Sequence, residues 1–154
     1  VQKRNKGIAI FVNKWDLVDK ETNTARDFEA GVKERLAPFN DVPVIFISAL
    51  EKTRIFKSIE VLLDIYENKQ KKIMTSKLND VMLPIIEKTP PPSYRGKMIK
   101  IDYFTHLHAS HPVFGFFCNY PDHILESYKQ FLENQMRKNF DFSGVKISIV
   151  FKEK

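Results

Sequence analysis

Asn13, Lys14 and Asp16 lie in the stretch NKWD, directly after the apolar run GIAIF, and Ser48 and Ala49 directly follow a second apolar run, VPVIFI. Ending a strand requires none of these groups, and their types suit a ligand. A carboxylate has two acceptor oxygens and no donor, whereas a side-chain amide has both. Guanine presents a ring N–H beside an exocyclic amino group, where adenine presents an acceptor and a donor. Asp16 can therefore accept both guanine protons and discriminate against adenine, whose entry would leave buried acceptors unpaired. Asn13 can offer its amide to the ring nitrogen on the other side of the base and tie adjacent loops together, while the methylene stem of Lys14 lies flat on the base. Ser48 can brace its loop. The backbone N–H of Ala49, beside a side chain small enough for close approach, can donate to the base carbonyl. Trp15 points the other way and reads as packing.

Such a site needs a sheet to hold it. KGIAIFVN and DVPVIFISAL read as β-rich runs, DFEAGVKERLAPF and IFKSIEVLLDIYENKQKK as helices, and this alternation predicts parallel strands with crossover helices. In such sheets ligands bind beyond the carboxyl ends of the strands, where NKWD and SAL both fall. Nearly unbroken apolar runs predict strands covered on both faces. Phe56, Ile59, Leu62, Leu63 and Tyr66 recur at helical spacing and predict a stripe that closes over the sheet. Two strands are too few for it. The chain begins with Val1 and enters a strand within seven residues, which suggests that the other strands lie upstream.

ENKQKKIMTS is polar and basic, placing a domain boundary near 70–75, with Thr75 or Ser76 expected to cap a helix carrying Leu78, Val81, Met82, Ile85 and Ile86. Pro84 should kink that helix, and TPPPSYRG reads as a stiff extended connector. KMIKIDYFTH alternates with Ile99, Ile101 and Tyr103 on one face, VFGFFCN is apolar, and DHILESYKQFLENQMRKNF carries the stripe Ile124, Tyr128, Phe131, Leu132 and Met136. KISIVFK alternates again, so the order is α-β-β-α-β.

Lys and Arg outnumber Asp and Glu by 25 to 19, a formal charge of +6 that favours polyanionic partners. The single cysteine, Cys118, sits in an apolar run, so no internal disulfide is possible and a buried thiol is expected. No apolar stretch is long enough to cross a membrane, and a cytoplasmic protein is expected. His106, His108 and His111 have no cysteine or closely spaced carboxylate to complete a metal site, so no metal site is expected, and no catalytic residue is singled out.

NKWD followed by SAL resembles the fourth and fifth guanine-recognition motifs of the Ras-like GTPases. TSKLNDVMLPIIEKTPPP, GKMIKIDYF and SYKQFLENQMRKNF closely resemble the C-terminal region of the Der (EngA) GTPases, proteins of bacterial ribosome assembly with a repeat of two GTPase domains. The resemblance covers essentially the whole chain. It implies that residues 1–72 are the end of the second GTPase domain, a piece of a Ras-like parallel sheet, and that 73–154 form an α+β KH-like domain. It also implies GTP or GDP as ligand of the intact parent, with magnesium held by residues outside this chain, and as partners the upstream GTPase domains and ribosomal RNA of the large subunit. One departure stands out: the glycines often found after SAL are replaced by EKTRIF.

The chain has no G-x-x-x-x-G-K-[ST] phosphate loop, and its one Gly-Lys pair, Gly96-Lys97, is followed by Met98. Phosphoryl transfer depends on electrostatics around the phosphates, so this chain is expected not to hydrolyse GTP alone. The GXXG loop by which KH modules clamp single strands is also missing. RNA would instead meet a basic face of Lys69, Lys71, Lys72, Arg95, Lys97, Lys100, Lys129, Arg137, Lys138 and Lys146. The same charges also suit a merely solvated face. The alternative reading is a noncatalytic RNA-binding module whose truncated α/β portion is only scaffold.

Overall fold

GIAIF and VPVIFI contribute the strands β1 (Ile10–Val12) and β2 (Val44–Phe46), which pair in parallel with Ile10 opposite Val44 and Val12 opposite Phe46. The structure, a computed structural model, describes residues 4–19, 23–36 and 41–154. The chain divides into two units, Val1–Lys69 with Phe142–Lys146, and Gln70–Asp141 with Ile147–Lys154. It is a mixed α/β fold with two sheets and four α-helices among the described residues.

In the first unit the β1–β2 pair is joined by helix α1 (Thr24–Leu36) and followed by α2 (Ile55–Gln70). Residues 37–39, the end of the predicted first helix, lie outside the described residues. The predicted cover of the sheet is corrected. Phe56, at 82 % exposure, and Tyr66, at 61 %, face solvent together with Ile59, Leu62 and Leu63, while Ser58, Ile65 and Asn68 make the buried face of α2. The helix thus buries a mostly polar side and leaves its apolar stripe uncovered here. Strand β1 is likewise only partly covered, with Phe11 exposed.

This unit is completed from far downstream. Ile8 N–H donates to Gly144 O (2.8 Å), and Gly144 N–H and Ser143 Oγ both donate to Asp41 O (3.1 Å each). Gly144 has φ +69°, and a Cβ there would meet Ile65 and Ile8 O at 2.7 Å, so only glycine lets the backbones approach this closely.

The second unit runs α3 (Thr75–Lys88), β3 (Ile101–Leu107), β4 (Val113–Cys118), α4 (Glu126–Asn139) and β5 (Ser148–Glu153). This is the α-β-β-α-β order that the periodicity predicts. β4 is central, antiparallel to β3 and parallel to β5. Leu78, Met82 and Ile86 of α3 and Tyr128, Leu132 and Met136 of α4 are buried at four-residue spacing, each contributing about 2 kcal/mol by leaving water. Cys118 is buried, as expected, and burial pushes its thiol pKa up.

Local details differ from the pattern. Met74, not Thr75 or Ser76, occupies the N-cap position of α3, without a side-chain cap bond, and the Thr75 hydroxyl bonds Thr105 Oγ1 at 2.8 Å. α3 continues through Pro84 to Lys88. α4 begins only at Glu126, after a 3₁₀ turn over Pro121–His123, and Phe131 is half-buried. A register shift between Ile101 and Tyr103 breaks the alternation of β3. Phe104 is consequently the residue at 0 % exposure, whereas Tyr103 is 39 % exposed and stacks on Phe117 at 4.6 Å.

The outer edge of β3 is closed by one side chain. Asn79 Oδ1 accepts from Phe104 N–H (3.0 Å), and its Nδ2 donates to Phe104 O (2.9 Å) and Thr75 O (2.7 Å). The amide thereby stands in for a neighbouring strand at one edge position. Tyr128 OH donates to Thr89 O at 2.7 Å and joins α4 to the end of α3.

Asn79→Leu should destabilise the protein by about 2 kcal/mol in urea unfolding, because both polar groups of Phe104 lose their partner. Burial pushes the Tyr128 hydroxyl from 10.0 up to about 12. Its folded pKa is raised, so its contribution is intact below pH 10 and is lost as pH rises through about 12. Tyr128→Phe, lower in stability by about 1 kcal/mol at neutral pH, should therefore close the gap to the unaltered protein across that alkaline window, as urea midpoints measured against pH would show.

Candidate functional site

The parallel register of β1 and β2 brings NKWD and SAL to the same end of the sheet. Ile47 N–H donates to Val12 O (2.8 Å) and Trp15 N–H to Ile47 O (3.1 Å), continuing the strand pairing into both loops. Lys14 then turns the chain in the left-handed conformation, φ 60° and ψ 33°, and a 3₁₀ turn spans Trp15–Leu17. Trp15 packs on Phe46 (4.2 Å between ring centroids) and edge-on to Phe28 (5.6 Å). With the indole directed inward, Asn13 and Lys14 remain exposed, and Asp16 is half-buried with Oδ1 out of solvent.

Ser48 is 2 % exposed and shapes the second loop. Its Oγ accepts from Glu51 N–H at 3.1 Å, and its backbone pairs with Thr53 in both directions, Thr53 N–H to Ser48 O at 2.9 Å and Ser48 N–H to Thr53 O at 3.3 Å. Two residues of the glycine-free segment adopt positive φ, Lys52 at 55° and Arg54 at 61°. A side chain there costs about 1 kcal/mol per residue, so EKTRIF keeps a turn that glycine would make more easily.

Ala49 N–H donates to Asn13 Oδ1 at 3.1 Å, linking the two loops across 36 residues of sequence. Asn13 thus ties the loops as its chemistry suggested. The same bond engages the Ala49 amide that was expected to donate to a base carbonyl, a competition that sequence reasoning missed because the residue types do not say which donor an acceptor will take.

Several of the basic residues have acceptors within the chain. Arg137 donates from Nε and Nη2 to Glu133 Oε1 (3.1 and 3.0 Å), Lys129 pairs with Glu126 (3.0 Å), Lys100 reaches Asp102 (3.6 Å), and Lys71 donates to Asp141 O (3.4 Å). Lys69 and Lys146 belong to the first unit, the others to the second. Among the described residues Arg95 and Lys97 have no carboxylate partner; each lies over a tyrosine ring. The Asp102 carboxyl is held below its usual range, chiefly by its hydrogen bond from Lys154.

Of the trio His106, His108 and His111, the first and last have structural partners. His111 Nε2 bonds Ser148 Oγ (2.9 Å), and His106 stacks on Phe114 (4.9 Å), its pKa lowered first by burial and then by the charges of His108 and Lys72. No cluster of three or more His, Cys, Asp or Glu placed to hold a metal occurs among the described residues. No helix among them is long and apolar enough to cross a membrane. The two units differ in topology, so neither repeats the other.

Comparison with known proteins agrees with the second unit's architecture. Residues 72–152 match the family described as the KH-domain-like region of EngA bacterial GTPase enzymes, C-terminal. Over 99 % of its length the chain is 54 % identical to a protein named GTPase Der from Christiangramia forsetii and 50 % identical to one from Flavobacterium psychrophilum, spanning 35 % of each. A GTPase Der from Porphyromonas gingivalis is 48 % identical over the whole chain, which spans 36 % of it. The chain therefore covers about a third of the length of these curated relatives. Because the family match takes in more than half of its 154 residues, the chain belongs to the family of the KH-like C-terminal domain of EngA bacterial GTPases.

Proposed function

We propose that this chain is the C-terminal part of a GTP-binding protein of ribosome assembly, in which residues 1–72 read the guanine base and 73–154 contact ribosomal RNA of the large subunit. The observation that carries the first half is the Asn13–Ala49 hydrogen bond, because it holds both candidate base-reading loops at one end of a parallel sheet with Asp16 in the same turn. Asp16 accepts the ring N–H and amino group, Lys14 lies on the base, and Ser48 braces the loop that presents Ala49. A guanine carbonyl either shares the Ala49 amide with Asn13 or displaces it.

On this reading NKWD and SAL serve the base, and the contacts to phosphates and magnesium come from outside this chain. The chain has no phosphate-loop sequence, and its described residues include no metal-binding cluster. Binding and hydrolysis of GTP therefore belong to the intact parent. The uncovered stripe Phe56, Ile59, Leu62, Leu63 and Tyr66 supports the same reading, since a helix with an uncovered apolar stripe suits packing against further layers of a larger α/β fold. We place the upstream GTPase domains there and the parent in the cytoplasm. The engaged Ala49 amide is the one observation favouring the second reading, an RNA-binding module whose α/β portion is scaffold.

Titration of this chain with GDP should give a dissociation constant of about 1 mM or weaker, the level of base contacts alone, with backbone amide shifts at Asp16 and Ala49 that ADP does not produce. Identical shifts with both nucleotides would favour the scaffold reading, and micromolar GDP binding would show that phosphate recognition is present after all. Affinity for ribosomal RNA should fall with salt at a log–log slope of roughly −0.7 to −0.9 per neutralised phosphate. A flat response in filter binding would remove the RNA half of the proposal.

A further inference from the structure

Ser93 to Gly96 are expected to form the end of an extended connector, but Tyr94–Lys97 is a tight turn. Tyr94 N–H donates to Lys97 O and Lys97 N–H to Tyr94 O, both at 2.9 Å. Its two central residues, Arg95 and Gly96, have φ 48° and 76°. Positive φ at both positions is the type I′ pattern, for which Asn-Gly is the favoured pair. Arginine gains nothing locally from the left-handed region, so this turn carries strain that asparagine would relieve.

The side chains on the turn give the arginine a purpose. Tyr94 stacks on His123 with 3.5 Å between ring centroids and 8° between planes. The Arg95 guanidinium lies over the Tyr94 ring, 5.2 Å from its centroid, and the Lys97 ammonium lies 5.7 Å from the centroid of Tyr120. Asn119 fixes the base of this array, accepting from Lys100 N–H at 3.0 Å and donating to Met98 O at 3.1 Å, which positions Tyr120 next in sequence. Met98 is 76 % exposed beside the two cations, and in Ser93–Lys100 and Asn119–His123 Asp122 is the one acidic residue.

We propose that the Tyr94–Lys97 turn, with Tyr120 and His123, binds single-stranded RNA, the exposed Arg95 guanidinium over the Tyr94–His123 stack receiving an unstacked base and Arg95 and Lys97 meeting flanking phosphates. This rests on the RNA-contacting role given above to residues 73–154 and assigns its place and mode. Guanidinium planes and aromatic rings take bases on their faces, which a duplex conceals, so the site selects single strands. It needs no GXXG loop, because the phosphates are met by cations on a hairpin. The strain at Arg95 is then the cost of displaying a guanidinium at the tip.

Arg95→Asn separates this from a structural role, since it preserves or improves the turn while removing the guanidinium. Fluorescence anisotropy with a short labelled single-stranded RNA, and with the same sequence annealed to its complement, should show single-strand affinity lowered by about tenfold in this variant and duplex affinity much less changed. Its Tm should rise by about 2 °C. Tyr94→Phe keeps the ring and should keep the affinity. Unchanged single-strand affinity in Arg95→Asn overturns the site and leaves the RNA reading standing, as does equal loss of both affinities. No binding of either RNA by the unaltered chain overturns both.

Discussion

The parallel pairing of two three-residue strands governs the candidate base site. Side chains alternate along a strand, so a slip of one residue between β1 and β2 would move Phe46 off the face it shares with Trp15 and carry Asn13 away from Ala49. The register is held at both ends. Beyond the amino ends, Asp41 O receives Gly144 N–H and Ser143 Oγ, and beyond the carboxyl ends Trp15 N–H and Asn13 Oδ1 bind the loop after β2. Short strands with few ladder bonds need such clamps. A polar loop residue is therefore part of the fold and of the candidate site at once.

The second unit meets the same problem by another route. Its sheet has an edge at β3, and an unpaired edge invites association with other chains. Asn79 pairs with both polar groups of Phe104, and the Thr75–Thr105 hydroxyl contact lies beside it. That places α3 against β3, while Leu78, Met82 and Ile86 anchor the helix in the core. The bulge between Ile101 and Tyr103 then selects which aromatic enters. Phe104 goes in and Tyr103 goes out to stack on Phe117, so the tyrosine hydroxyl is never asked to find a partner in the core.

Residues at positive φ other than glycine mark where local preference yields to another demand. Besides Asn5, they are Lys14, Lys52, Arg54 and Arg95, the first three around the candidate base site and the last at the tip of a hairpin. Cations have no special liking for the left-handed region. Their presence there means that side-chain placement matters more at these turns than backbone comfort.

Sequence by itself determined the elements and the chemistry. Near-continuous apolar runs set β1 and β2, four-residue spacing set α3 and α4, and the NKWD and SAL types set which donors and acceptors those two loops carry, because residue type fixes hydrogen-bonding capacity. Tertiary structure decided which partners those groups take. The Ala49 amide goes to Asn13, Arg137 and Lys129 go to neighbouring glutamates, and α2 buries Ile65 while the more regular stripe of Phe56 and Tyr66 stays in water. It also carried Phe142–Lys146 back to the first strands. Periodicity is a local property of the chain, whereas pairing, register and coverage depend on residues distant in sequence, which no local pattern records.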